Sequence, residues 1–200
     1  MGRQKLSVIV PCYNEEKTLR IIVEKILEAD VLGLDLEVLI IDDASRDRSL
    51  EISEKLIREH DNVKLIQHQL NQGKGAAIAN GIGLAKGDIF LIQDADLEYD
   101  PSEYPDLLKP ILDGYADVVY GSRFSGGKSH RVLYFWHSIG NRTLTLVSNM
   151  LTGFNLTDME TCYKVFKRDI IEQLNLCEKR FGIEPEITAK ISRLNPRPRV

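Results

Sequence analysis

The residues with the densest chemistry in this chain are Gln93-Asp94-Ala95-Asp96-Leu97-Glu98. In extended backbone the side chains at i, i+2 and i+4 point the same way, which would turn Asp94, Asp96 and Glu98 toward one cleft. Carboxylates gathered in this way repel one another unless a cation lies between them. Hard oxygen ligands suit Mg2+ or Mn2+, which usually share one or two carboxylates with substrate phosphates. An Asp-x-Asp is common by itself, and the competing reading is a solvated turn ahead of the helix signalled by Asp100-Pro101, with Glu98 or Asp100 as its cap. Position favours the metal: the run follows an apolar stretch, residues 89–93, that reads as a buried strand.

Other clusters end other apolar stretches. Asp42-Asp43 closes LEVLII, where an acidic side chain commonly accepts bonds from a nucleotide's ribose or base; as N-caps, Asp42, Asp43, Ser45 and Asp47 would serve equally. Asn71-Gln72-Gly73-Lys74-Gly75-Ala76-Ala77 looks like a phosphate turn but fails the known templates. Ile78 stands where a dinucleotide fingerprint needs its third glycine, and the P-loop spacing is absent. What remains is a glycine-rich helix start with Lys74, suited to the anionic part of a nucleotide, or else a site of close strand–helix packing. Arg123 suits bidentate phosphate binding better than a lysine would, with a surface salt bridge as the alternative. Tyr134, Phe135 and Trp136 beside Lys128, His130 and Arg131 mark either an interfacial helix on anionic lipid or a core helix.

The elements that must position these residues alternate strand and helix, the signature of an α/β sheet with parallel strands. Strands are predicted at residues 5–10, 36–41, 63–67, 89–93 and 118–120. Asn14 is expected to cap a helix carrying Leu19, Ile22, Val23, Ile26 and Leu27 on one face. Further helices are expected over 48–60, over 73–86 with Gly87 as a left-handed stop, and from Pro101. Beyond Gly121 the rhythm changes: a Gly/Ser loop at 124–130, an apolar stretch at 132–151, an antiparallel strand within 161–166, and helices from about Asp169 and Glu184. Ligands of such sheets bind outside the carboxyl ends of the strands, near the point where strand order reverses. Pro11-Cys12-Tyr13-Asn14-Glu15, Asp42-Asp43, Asp94-Ala95-Asp96 and Gly121-Ser122-Arg123 all converge on that rim.

Composition sets the outer limits. Two hundred residues form about one domain, and 43% hydrophobic with 28% charged content is ordinary for a globular protein. A net charge of −4 argues against nucleic acid as partner. Cys12, Cys162 and Cys177 match neither a zinc spacing nor a disulfide framework, pointing to a reducing, cytoplasmic compartment. No stretch has the length of a signal-peptide core or a membrane span, so the expectation is a soluble or peripheral chain whose Pro/Arg-rich end is an extended tail or a truncation.

Taken together, VIVPCYNEE, IIDDASRDRS, NQGKGAAIANGIGLAKGD, QDADLEYDP, VVYGSRF and TDMETCYKVFKR resemble the family 2 glycosyltransferases of the GT-A fold, specifically the branch with dolichol-phosphate mannose synthase and bacterial polyprenyl-phosphate glycosyltransferases. The resemblance spans nearly the whole chain. It implies a single GT-A (Rossmann-like) α/β domain, a mostly parallel sheet with helices on both faces and an antiparallel C-terminal strand, with residues 1–121 holding nucleotide-sugar and metal and 122–200 the acceptor. It implies nucleotide contact by Pro11, Tyr13, Glu15 and Asp43, with Lys74 and Asp94 alongside, and divalent metal on Asp94, Asp96 and Glu98. Arg123, with Arg131, would hold an acceptor phosphate. Many relatives have glutamine at the position of Glu98, and Glu184-Pro185-Glu186 replaces the Glu-Asp pair of hydroxyl-acceptor relatives. The Gln-x-x-Arg-Trp signature of polysaccharide synthases is missing around Trp136.

The expected reaction is inverting transfer of a hexose from a nucleotide diphosphate to a polyprenyl phosphate at the cytoplasmic face of a membrane, with Asp96 and Arg123 central to catalysis. The metal neutralises charge on the leaving diphosphate. An acceptor phosphate needs no general base; a hydroxyl acceptor would, with Glu186 or Asp158 as candidates. The remaining alternatives are a sugar-phosphate nucleotidyltransferase, which lacks its glycine- and arginine-rich loop after the first strand, and an inert nucleotide-sugar-binding module.

Overall fold

A computed structural model describes residues 3–124 and 135–200, and for Phe135 and His137 the backbone alone. The expectations for Lys128, His130, Arg131 and Tyr134 lie outside the described residues, as do the side chain of Phe135 and most of the Gly/Ser loop.

Six strands, β1 (Lys5–Cys12), β2 (Asp35–Asp42), β3 (Val63–Gln67), β4 (Ile89–Ile92), β5 (Val118–Tyr120) and β6 (Lys164–Lys167), form one sheet in the order β3-β2-β1-β4-β6-β5. β1 pairs in parallel with β2 and β4, and β2 with β3; β6 runs antiparallel to both β4 and β5. The late strand therefore slots between β4 and β5. Among the helices α1 (Leu19–Glu28), α2 (Ser49–Glu59), α3 (Lys74–Leu84), α4 (Tyr104–Leu112), α5 (Phe135–Thr152), α6 (Arg168–Ile171) and α7 (Ile183–Ser192), α3 lies on β1 and β2, α2 on β2 and β3, and α4 on β5 and β6. Strands covered on both faces need continuous apolar runs. Leu6, Val8, Ile9 and Val10 of β1 and Val38 to Ile41 of β2 are accordingly buried completely.

Two local expectations fail for physical reasons. Asn14 does not cap α1, which begins at Leu19 after Thr18. It sits at φ 59, donating its N–H to Ser45 Oγ at 3.0 Å and accepting from the Arg46 N–H at 2.8 Å; it clamps the β1–α1 loop to the β2–α2 loop. Gly87 is no left-handed stop, because α3 ends at Leu84 with Ala85 extended. A Cβ on Gly87 would lie 2.6 Å from the Ser7 backbone nitrogen, so its role is close approach to β1. Asp100 does cap the turn at Pro101–Glu103, accepting from the Ser102 N–H.

Within the 132–151 stretch, the described helix α5 is not a core helix. Asn141, Thr145 and Asn149, four residues apart on α5, face inward: Asn141 donates to Asp158 (3.0 Å), Thr145 accepts from the Met159 N–H (3.1 Å), and Asn149 bridges both backbone groups of Leu156 (2.8 and 3.0 Å). Trp136, Ile139, Leu146, Val147 and Met150 face outward and are exposed. The amphipathicity is inverted, with the polar stripe inside.

Candidate active site

Strand order reverses between β1 and β4, and there the carboxyl ends of β1, β2 and β4 open a cavity of about 440 Å³. Pro11, Tyr13, Glu15, Asp43, Lys74, Asp94 and Asp96 all line it. Three of the four clusters expected on the rim thus meet here, joined by Lys74 of the glycine-rich turn, whereas none of Gly121-Ser122-Arg123 lines the cavity. Of the remaining lining residues, Arg180 and Phe181 lie outside every cluster that the sequence singled out.

Asp43 is buried, and both carboxylate oxygens are engaged. It accepts from the Gln72 N–H (2.8 Å) and the Gly73 N–H (2.7 Å) and pairs with His68 Nδ1 (2.8 Å). It thereby clasps the Asn71-Gln72-Gly73 turn against the end of β2. The turn's glycines serve packing rather than an open anion site: a Cβ on Gly73 would run into the Lys179 carbonyl, and one on Gly75 into the Glu178 carbonyl. The Ala76 N–H in the first turn of α3 already donates to Lys179 O at 3.1 Å.

Lys74 reaches both oxygens of Asp94, at 2.9 and 3.1 Å, and Glu184 at 3.0 Å. Burial alone would lower the pKa of this ammonium, but the surrounding negative groups, Asp94 and Glu184 among them, lift it well above the ordinary lysine value. It is a fixed cation. Behind Asp94, the buried Gln93 Oε1 accepts from Tyr104 Oη (3.0 Å) and Tyr163 Oη (2.9 Å), so three aromatic and amide side chains from α4, the residue after β4 and the approach to β6 hold the backbone that presents the carboxylate.

Asp96 accepts the Glu98 N–H at 2.9 Å. Burial first, then the neighbouring charges of Asp94, Glu98 and Glu15, push its pKa upward. This is a carboxylate short of positive charge, the electrostatic setting that a divalent cation relieves. Glu98 does not line the cavity; its Oε1 lies 3.5 Å from Arg123 Nη1. β4 ends at Ile92 and residues 94–99 are bends and turns, so strand alternation does not carry through to Glu98. Among the described residues no group of three His, Cys, Asp or Glu side chains is arranged around one point as a metal cage. Of the four carboxylates lining the cavity, Asp43 is taken up by the Gln72 and Gly73 N–H groups and His68, and Glu15 accepts from Thr18 Oγ1; the neighbouring pair Asp94 and Asp96 suits an ion completed by substrate oxygens.

Arg123 sits beside the cavity, gripping Asp158 through Nε (2.8 Å), Nη2 (3.0 Å) and its own backbone N–H (3.1 Å). Burial opposes charge on Asp158, yet the Arg123 guanidinium and Asn141 hold its carboxyl below the usual range. Glu186 is similarly engaged: it accepts from the Cys177 and Glu178 N–H groups, each at 2.8 Å, and pairs with Lys190 at 2.8 Å. It anchors the 177–182 loop and does not line the cavity. Sequence reasoning flagged Glu184-Pro185-Glu186, but it is Glu184, through Lys74, that reaches the site. His68, just after β3, was missed because its partner Asp43 follows the neighbouring strand β2, a pairing that no local spacing reveals.

A family model described as glycosyl transferase family 2 matches residues 7–174. The chain is 30% identical over 188 residues to dolichol-phosphate mannosyltransferase of Pyrococcus furiosus, covering 93% of this chain and 53% of the relative. It is 32% identical over 194 residues to undecaprenyl-phosphate 4-deoxy-4-formamido-L-arabinose transferase of Aeromonas hydrophila, covering 94% and 56% respectively. This chain therefore spans about half the length of the curated relatives it matches. In fold it is similar to a mannosyltransferase from Pyrobaculum calidifontis solved with GDP-Man and Mn2+, with a TM-score of 0.70, 22% identity, and coverage of 100% of this chain and 54% of that one.

Proposed function

The chain belongs to glycosyl transferase family 2, and from that membership we propose that it transfers a hexose from a nucleotide-diphosphate sugar to a polyprenyl phosphate, with inversion at the anomeric carbon. One observation carries the reading: Asp43, Lys74, Asp94 and Asp96, from three separate segments, meet in a single cavity at the sheet's switch point. Relatives named for transfer to dolichol and undecaprenyl phosphates support the acceptor class.

In this reading Pro11, Tyr13, Glu15 and the Asp43-clasped turn receive the nucleoside, and Asp94 and Asp96 hold Mg2+ or Mn2+, for which the fold neighbour solved with Mn2+ is a precedent. The bound ion supplies positive charge to the donor diphosphate as it leaves. Lys74 holds Asp94 in place. Glu98, turned toward Arg123, links the metal side to the acceptor side. An acceptor phosphate oxygen attacks the anomeric carbon as the bond to the diphosphate breaks on the opposite face; Arg123 keeps the two in line. A phosphate acceptor is already ionised and needs no base. That agrees with Asp158 and Glu186, the two carboxylates suited to a hydroxyl acceptor, being bound up in ion pairs and backbone N–H contacts. The exposed apolar face of α5 supports contact with a membrane surface, where such an acceptor resides; no helix among the described residues is long and apolar enough to cross a membrane.

The test is donor calorimetry with UDP-glucose, UDP-GlcNAc and GDP-mannose, with and without Mn2+, followed by transfer assays on a short polyprenyl phosphate. Mn2+-dependent binding of one donor and its consumption by the lipid are expected, with Asp96→Ala lowering turnover by at least about 100-fold. Near-normal turnover of that variant in Mn2+ would overturn the metal assignment.

A further inference from the structure

The donor cavity has a surplus of negative charge. Its charged lining is Glu15, Asp43, Asp94 and Asp96 against Lys74 and Arg180. Lys74 is already committed to Asp94 and Glu184. A divalent ion offsets two of the four carboxylates, which leaves a nucleoside diphosphate to be held by whatever free cation remains. Arg180 is that cation: among the described residues it has no hydrogen bond or ion pair.

Its position is built. The 177–182 loop is pinned from both sides, by Glu186 accepting the Cys177 and Glu178 N–H groups and by Lys179 O accepting the Ala76 N–H. Gly73, at φ +98, lets the loop press onto the glycine-rich turn, and a Cβ there would lie 2.9 Å from Arg180 Cγ. The aliphatic stem thus rests on the Asp43-clasped turn while the guanidinium stays exposed at the cavity, next to the exposed ring of Phe181. A planar guanidinium matches phosphate oxygens in a way a point charge does not.

We infer that Arg180 binds the diphosphate of the nucleotide donor, held over the site by the 177–182 loop. The inference rests on the donor-site reading above and adds a residue from the far end of the chain to it. The experiment compares wild type, Arg180→Ala and Arg180→Lys for binding of UDP and GDP in Mn2+, with uridine and guanosine as competitors lacking phosphate. An exposed side chain without partners should leave the fold intact, which an unchanged thermal midpoint verifies. Expected is an approximately tenfold loss of diphosphate affinity in Arg180→Ala, partial recovery in Arg180→Lys, and nucleoside binding and acceptor KM unchanged. Diphosphate affinity equal to wild type, or a raised acceptor KM alone, overturns the inference and leaves the donor site standing. Wild type that binds neither UDP nor GDP overturns both.

Discussion

Lys164 shows how far one buried charge is tolerated beside a site that needs charge. It is almost fully buried, its ammonium donates to the Thr161 carbonyl, and its pKa is pushed down to about 8 by burial first and by repulsion from Lys74, against the pull of Glu184. In the unfolded chain the value returns to about 10.4. Below pH 8 both states carry the proton, and the fold bears the whole cost of the buried ammonium. Between about 8 and 10.4 the unfolded chain binds more protons, so this group makes stability rise with pH across that window. Lys164→Met is expected to remove the rise, and to be neutral or stabilising at pH 7 because an apolar side chain replaces an expensive ion. Urea midpoints of both proteins from pH 7 to 10 decide it; parallel curves would mean that folded Lys164 keeps its proton across that range and overturn the prediction.

At the scale of elements, α3 carries two glycines whose replacement should act with opposite sign. Gly75 meets the Glu178 backbone carbonyl where its Cβ would stand, whereas Gly83 has nothing within 4 Å. Gly83→Ala gains helix propensity and is expected to stabilise by about 0.5–1 kcal/mol. Gly75→Ala makes the same gain but must displace the 177–182 loop, and a net loss of about 1–3 kcal/mol is expected, with weaker diphosphate binding if Arg180 moves too. Denaturant unfolding of the pair checks both signs. The same elements show what could be read from sequence. Strands β1, β2 and β4 were legible because burial on both faces demands apolar runs, and Asp43, Asp94 and Asp96 because they stand directly after such runs. Asn14 was misread since its side chain serves the neighbouring loop and not its own helix. Arg180 and His68 were invisible as site residues, and Glu184 stood out only within Glu184-Pro185-Glu186: all three arrive through packing between segments distant in sequence, which no local period encodes. Glu98 was placed with its neighbours by a strand alternation that stops at Ile92.

For the molecule as a whole, the inverted polarity of α5 is the feature that looks outward. A stripe of Trp136, Ile139, Leu146, Val147 and Met150 in solvent is costly unless something apolar covers it. Wild-type protein is expected to sediment with vesicles containing anionic lipid, and the double variant Leu146→Lys, Met150→Lys to lose at least about tenfold of that binding while keeping its affinity for soluble donor; unchanged sedimentation would separate α5 from the membrane. The interleaving of β6 between β4 and β5 has a different kind of consequence. Residues 3–124 bring five strands but leave a slot in their own sheet, and residues 135–200 bring the strand that fills it together with Arg180, Glu184 and Asp158. Neither portion is a module that can be exchanged freely: a graft that swaps residues 135–200 for another segment also replaces a sheet strand and the partner of Lys74, so this architecture tolerates point substitution more readily than recombination.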